Sequence, residues 1–478
     1  MNPILLLLAT AAASDSGVRT LDYKEALEAA LAHSPALVGA RLDVDVADGA
    51  LLAAKGTFDP TFEASANQNK FTSESTREFG EVLSEFDSKA WSTGITQVLP
   101  TGTNLGVDWS TSSTRFKYEL RESGFVVQSE EPLFESRMVA TLSQSLLKGH
   151  RLASNLEGVR SAARGRDIAQ ATKRAVRQQT LADTASAYWN TRTQRRLAEI
   201  AAAAVSTAQE EQRIVHAKVE LGTLAPVERA RVDAAVIQAR RELLTAQDTA
   251  RNTEDSLLLL IGENPGVEVE LTTEPAEPTT VLIDVDAVER VALENNAELH
   301  VAKIQEQNAE MSRLDARHHL LPQLDVNASY ALIGYEPSTS AASDELFSGD
   351  LPEWSLGATF SMPLLGRADR GKVMQRSAEA AKARSQRSQM NRQIRSQVRV
   401  QVRAVEAASV QVSLGRANVD LAQQTLAAER ALSEAGRIIQ KDLLESMASA
   451  DDARIQLEQA KGDYQLALIE LERLKGTL

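Results

Sequence analysis

Six histidines, His33, His150, His216, His300, His318 and His319, are the first candidates for acid–base or metal chemistry. A helical zinc site needs two imidazoles at i and i+4 on one face. No pair here has that spacing, and the adjacent His318 and His319 project to different faces. Cysteine is absent, which excludes disulfide staples, thiolate zinc sites, iron–sulfur clusters and thiol catalysis. There is no glycine-rich phosphate loop and no G-x-S-x-G nucleophile elbow. Carboxylate pairs abound, as they must in helices of a chain that is 25% charged. One of them, Asp442 and Glu445, has the i, i+3 spacing that places both groups on one helix face. The sequence therefore offers no catalytic, cofactor-binding or metal-binding residues, and an enzyme is not expected.

The elements that carry these residues follow from composition and pattern. The chain has 478 residues, enough for two or three compact domains. Aromatics are only 4%, while alanine, glutamine, arginine, glutamate and leucine are abundant, a balance that suits long helices packed through small side chains. A net charge of −14 argues against nucleic acid as a partner. At the N-terminus an apolar run from Ile4 to Leu8 and an Ala-rich stretch to Ala13 read as a signal peptide over residues 1–13, although no Lys or Arg precedes the run. No other segment approaches transmembrane-helix length, so a chain that spans a membrane must do so as a closed β-barrel.

An internal repeat organises the rest. Leu21-Asp22-Tyr23 through Leu31 matches Ile283-Asp284-Val285 through Leu293. At one constant offset Leu37 meets Leu299, Ala40 meets Ala302, Pro60 meets Pro322 and Phe62 meets Leu324. Further on, Leu142-Ser143-Gln144-Ser145-Leu146-Leu147 is similar to Phe360-Ser361-Met362-Pro363-Leu364-Leu365. Each is followed by a glycine (Gly149, Gly366) and then a helical stretch of about 70 residues, about 100 Å at 1.5 Å rise, which breaks at Gly222 or Gly436. Ile394, Val398, Val402, Val405 and Val412 make one apolar stripe, with Arg392, Arg395, Arg399 and Arg403 read as its solvated flank. Leu457, Tyr464, Leu468 and Leu471 repeat the period in the last helix.

Between Pro60 and Leu147 alternation replaces the helical period, as it does from Leu324 to Met362. Runs of about 10 residues there suit tilted membrane strands. The polar segments Thr72 to Ser88 and Gly334 to Glu353 read as extracellular loops, and Gly262 to Thr280, with Pro265, Pro275 and Pro278, as a connector. The expected organisation is a first repeat over residues 14–261, with strands over about 61–147 and a helical hairpin over about 151–261. A connector over 262–282 follows, then a second repeat over 283–478, with strands over about 323–365 and a hairpin over about 367–475.

This duplicated layout, the Ser-Gln-Ser-Leu-Leu-x-Gly strand end, and the glycines in Glu220-Leu221-Gly222-Thr223-Leu224 and Glu434-Ala435-Gly436-Arg437-Ile438 resemble the TolC-like outer-membrane efflux protein family over the whole mature chain. The resemblance implies an α+β membrane protein working as a homotrimer. Each subunit would give four strands to a 12-strand barrel in outer-membrane lipid, continued by a periplasmic α-helical barrel. The tips, at Gly222, Thr223, Leu224, Gly436, Arg437 and Ile438, would dock a periplasmic adaptor (membrane fusion) protein and through it an inner-membrane pump. No cofactor is implied.

The resemblance also assigns the carboxylates. Acidic residues just past the second tip ring the periplasmic entrance in the family, and Asp442 and Glu445 stand there, with Glu228 the equivalent after Gly222. Threefold repetition would bring six carboxylates together, attracting cations and raising some of their own pKa values. The family's constraining arginine falls where this chain has Ile438, one residue after Arg437. A second departure is length. Trp91 to Val98 and Leu105 to Thr111, joined by Pro100-Thr101-Gly102-Thr103, form an extra hairpin. Either the barrel has more strands than the family norm or this hairpin lies outside it. The function expected is an exit duct for efflux or type I secretion. The competing reading is a periplasmic adaptor or coiled-coil scaffold, which usually carries one hairpin where this chain has two.

Overall fold

Each half of the chain opens on a helix started by an aspartate. In a computed structural model, which describes residues 19–77, 80–120, 125–128, 131–278, 283–435 and 437–478, β1 (Arg19–Leu21) leads to α1 (Tyr23–His33) and α2 (Pro35–Lys55). Asp22 caps α1, and Glu25 accepts from the Asp22 backbone N–H at 3.1 Å, completing a capping box. The signal-peptide reading of residues 1–13 and the tip residue Gly436 lie outside the described residues.

The strands of the first half are β2 (Thr61–Arg77), β3 (Gly80–Val98), β4 (Thr103–Leu120), β5 (Phe125–Gln128) and β6 (Leu133–Ser145). The turn of helix α3 (Leu152–Asn155) precedes α4 (Glu157–Glu220), and α5 (Pro226–Ile261) returns to β7 (Val269–Leu271). The second half runs α6 (Val285–Asn295), α7 (Ala297–His318), β8 (Gln323–Glu336), α8 (Thr339–Ser348), β9 (Pro352–Ser361), α9 (Arg367–Glu434) and α10 (Gln440–Lys475). The Asp284 carboxylate accepts from Asp286 N at 3.0 Å and Ala287 N at 3.2 Å to start α6. With 64 and 68 residues, α4 and α9 far exceed an ordinary globular helix.

The chain packs as two compact units that draw on both sequence halves. One takes the N-terminal residues through Asp43, Gln170–Val301 and Ser388–Leu478; the other takes Val44–Ala169 and Ala302–Arg387. In the first unit, one core gathers Leu21, Ala26, Ala185, Tyr188, Leu257, Leu258, Ile261 and Val269. Tyr188 is fully buried, yet its hydroxyl donates to Leu21 O and accepts from Thr273 N, both at 3.2 Å. A second core holds the stripe Ile394, Val398, Val402, Val405 and Val412 against Tyr464 and Leu471. Helices α5 and α10 of this unit close with left-handed glycines, Gly262 (φ 81°) and Gly476 (φ 70°).

The second unit is built on one antiparallel sheet in the order β2-β3-β4-β6-β8-β9, with β5 paired to β4. Its register sorts side chains by face. Phe62, Ile95, Val107, Ala140, Tyr330 and Trp354 form one continuous row, and Ala64, Thr93, Trp109, Met138, Leu332 and Pro352 the next. The opposite face carries Thr61, Thr96, Gly106, Thr141, Ser329 and Ser355, then Glu63, Gly94, Asp108, Val139, Ala331 and Glu353. One face is thus apolar and the other mostly polar, the division that separates lipid from a wet lumen. Among the described residues no helix is long and apolar enough to cross a membrane.

The two segments read as extracellular loops differ from that expectation. Most of Thr72 to Ser88 is strand: Phe71 opposes Phe86, Thr72 opposes Glu85 and Ser73 opposes Ser84. The Phe71 and Phe86 rings stack at 5.2 Å. Ser, Thr and Glu dominate there, and the few apolar residues, among them Val82, Leu83 and Phe86, are spaced too irregularly to give a period-two strand signal. Gly334 to Glu353 contains α8, started by Ser338, whose hydroxyl accepts from Ala341 N, and ended by Gly349 at φ 75°. Its buried Ala342 and Leu346 sit on the sheet at Gly334, where a Cβ would come within 2.1 Å of Ala342 O.

Candidate functional site at the hairpin tips

The turn from α4 to α5 is built by Gly222. At φ 73° it adopts the left-handed conformation, so that Thr223 N reaches Lys218 O at 2.9 Å and Gly222 N reaches Val219 O at 3.0 Å. The Thr223 hydroxyl also donates to Lys218 O at 2.8 Å. Leu221, 79% exposed, stands out at the turn beside the exposed Gly222 and Thr223, while Leu224 is half-buried. The second turn closes in the same way, Arg437 N donating to Leu432 O at 2.9 Å. Arg437 is exposed and Ile438 half-buried. The prominent apolar residue on that side is its neighbour Ile439, 58% exposed. Both Leu221 and Ile439 lay beside residues that the sequence singled out, and their apolar character next to a turn was the available signal.

The carboxylates sit in the first turns of the returning helices. Ala225 caps α5 with Pro226 at the first helical position, where its missing N–H costs nothing, and Ile439 caps α10. Glu228 and Asp442 then occupy the same place, each donating its backbone N–H to the cap carbonyl, at 3.0 and 3.1 Å. Negative charge at that position is favoured by the helix dipole. Glu228 accepts from Arg231 at 2.8 Å through one oxygen, while its buried Oε2 has no hydrogen-bond partner.

Asp442 and Glu445 are both exposed and share one side of α10; Leu443 and Met447 are buried on the other. With Asn418, Thr425 and Glu429 of α9 they line a groove of about 420 Å³. Glu429, at nearly the same chain distance before the tip as Asp442 is after it, was missed by the sequence reading. The antiparallel geometry of a hairpin brings such positions face to face. Lys441 pairs with Glu445 at 3.2 Å, but both are well exposed and the pair is worth little. The structure thus brings Asp442 and Glu445 together, adds Glu429 to them, and leaves Glu228 on the other hairpin.

The two hairpins are tied to one another. The Gln440 side chain, 6% exposed, donates to Glu211 Oε1 on α4 at 2.6 Å. Within the first hairpin, Asp233 of α5 accepts from Gln212 at 2.7 Å and bonds His216 at 2.9 Å. These contacts, led by Gln212, hold the Asp233 carboxyl below its usual range. Farther along, the arginine flank of the apolar stripe is more than a solvated face. Arg399 Nε meets the buried Glu289 at 2.5 Å and Arg395 approaches it at 3.8 Å. No group of His, Cys, Asp or Glu among the described residues has metal-site geometry.

Comparison with known proteins places this arrangement. The family model described as outer membrane efflux protein matches residues 26–263 and 289–477. No curated protein matches by sequence. Solved structures do match in fold. The VceC outer membrane protein of Vibrio cholerae is 17% identical, with 95% of this chain and 96% of that chain covered and a TM-score of 0.70. The CmeC outer membrane channel of Campylobacter jejuni is 15% identical, covering 95% of this chain and 85% of that one at a TM-score of 0.68. The open-state MtrE outer membrane channel of Neisseria gonorrhoeae is 15% identical, covering 95% and 88% at 0.65.

Proposed function

The chain belongs to the outer membrane efflux protein family, and from that premise we propose that three copies form a gated duct whose hairpin tips receive a periplasmic adaptor and, through it, an inner-membrane pump. The protein is an outer-membrane exit duct for efflux that extends into the periplasm. Nothing in it binds a nucleotide by motif, so transport energy comes from the partner. The competing adaptor reading loses ground because the family match covers both halves, and because the sheet carries a continuous apolar face of membrane character.

The observation that carries the gating part is the acidic groove: Asp442 and Glu445 exposed on one side of α10, with Glu429 opposite. Around a threefold axis these carboxylates would form a cation-attracting ring at the periplasmic entrance. Glu228 sits at the matching turn of the first hairpin and supports it there. Leu221, Thr223, Leu224, Arg437, Ile438 and Ile439 make the surface offered to the adaptor, apolar side chains in a polar setting. The test is single-channel recording in planar bilayers. Asp442→Ala with Glu445→Ala should reduce cation selectivity several-fold; unchanged selectivity would remove the ring from the account and leave the duct.

A further inference from the structure

The four strands per subunit implied by the family resemblance do not describe this sheet. Six long strands lie side by side, and the extra hairpin β3–β4 is inserted between β2 and β6. Its pairing is continuous on both sides: seventeen residues of β2 are in register with β3, from Thr61↔Thr96 to Arg77↔Gly80, and β4 runs with β6 from Thr103↔Gln144 to Thr114↔Leu133.

The turn of the inserted hairpin is also clamped to the chain that follows β6. Gly102, at φ 78°, approaches Gly149 so closely that a Cβ would lie 2.2 Å from Gly149 O. Asn155 donates to both Pro100 O, at 3.0 Å, and Gly149 O, at 2.8 Å, and Gln144 donates to Thr101 O at 3.2 Å. A hairpin lying outside a barrel wall would need none of these contacts.

Its side chains carry the wall's pattern too. Ile95, Val107, Thr93 and Trp109 continue the apolar rows without a gap from Phe62 on β2 to Trp354 on β9, and Ser92 and Ser110 continue the polar face. Within one chain the sheet stays open, its edges β2 and β9 presenting unpaired backbone. Backbone groups in lipid must be paired, and only closure removes an edge. The number of strands is even and neighbours alternate in direction, so β9 of one copy meets β2 of a second copy antiparallel, as every other neighbour does.

We infer that β3 and β4 are barrel wall, and that six strands from each of three copies close an eighteen-strand barrel through β9–β2 pairing between copies. Barrel diameter grows about linearly with strand number, so this one is about half again as wide as a twelve-strand barrel. The inference rests on the threefold duct proposed above.

Single-particle imaging of the native full chain in detergent counts the strands. Eighteen around a threefold axis is expected. Twelve, with the hairpin outside, overturns the inference and leaves the duct intact; loss of the threefold axis overturns both. Cross-linking in outer membranes gives an independent reading, because the chain has no cysteine of its own. The hydroxyls of Ser65 on β2 and Ser92 on β3 lie 2.9 Å apart. Ser65→Cys with Ser92→Cys should form a disulfide within each subunit, while Ser65→Cys with Arg137→Cys should not. The reverse pattern places β2 directly against β6 and overturns the inference.

Discussion

Gln440 at the start of α10 and Glu211 on α4 are joined at 2.6 Å, although 229 residues separate them. This bond fastens the second hairpin to the first where the duct is proposed to open. A hydrogen bond to a charged acceptor contributes about 1.5–3 kcal/mol. Gln440→Ala should therefore raise the open fraction of reconstituted channels several-fold, with Glu211→Ala giving the same effect. If both variants gate as the parent does, the tie is structural and the entrance is held by other contacts.

The buried Glu289 makes a separate test of the helical unit. Its carboxylate is 6% exposed and is met by Arg399 and Arg395, themselves largely exposed. Arg399→Ala leaves a buried charge weakly compensated and should lower stability. Glu289→Gln, which removes the charge, should cost less. Thermal unfolding of the two variants decides the order; the reverse order would show that the arginines do not compensate a buried charge.

Much of this architecture is legible in the sequence because burial there follows a period. The stripe from Ile394 to Val412 is buried as one face of α9, and the alternation from Leu324 to Tyr330 falls in β8. Where side chains carry no contrast, reading fails. Thr72 to Ser88 is rich in Ser, Thr and Glu, and its few apolar residues, among them Val82, Leu83 and Phe86, follow no period of two, so the strand shows only in the pairing. For α8 the signals were local and present, Ser338 before it and Gly349 after it, but they were outweighed by the acidic, Ser-rich composition. The Gln440–Glu211 tie could not be read at all, since no pattern links positions so far apart. Glu429 lay in between: it stands seven residues before Gly436 and Asp442 six after it, so scanning the facing helix at about that distance would have found it.

Helix α8 depends on the absence of a side chain beneath it. At Gly334 a Cβ would collide with the backbone of Ala342 and Leu346, at 2.1 and 2.8 Å. Backbone cannot step aside as a flexible side chain can, so Gly334→Ala should cost about 1–3 kcal/mol and release the helix. Limited proteolysis reads this directly: cleavage within residues 339–348 should accelerate about tenfold or more, consistent with loss of about 1.4 kcal/mol of local protection. An unchanged digestion pattern would mean that α8 docks in another way.

Asp451 on α10 supplies a pH test. Burial holds its carboxyl above the usual range, although Arg454 lies 3.1 Å away and pulls in the opposite direction. The folded chain therefore holds this proton more tightly than the unfolded chain. The contribution is favourable while the group is protonated and is lost as pH rises through the folded pKa. Asp451→Asn, which stays neutral, should raise the thermal midpoint at neutral pH and lose that advantage below the carboxylate range. A gain that does not vary with pH would exclude burial of charge as its source.

The account stands or falls on whether this chain makes a passage through the outer membrane. The direct measurement is to extract the full protein from isolated outer membranes and record single channels in planar bilayers. The account predicts discrete conductance steps that favour cations, with that preference reduced by Asp442→Ala together with Glu445→Ala. A protein recovered only in the soluble periplasmic fraction, giving no conductance after reconstitution, would contradict it.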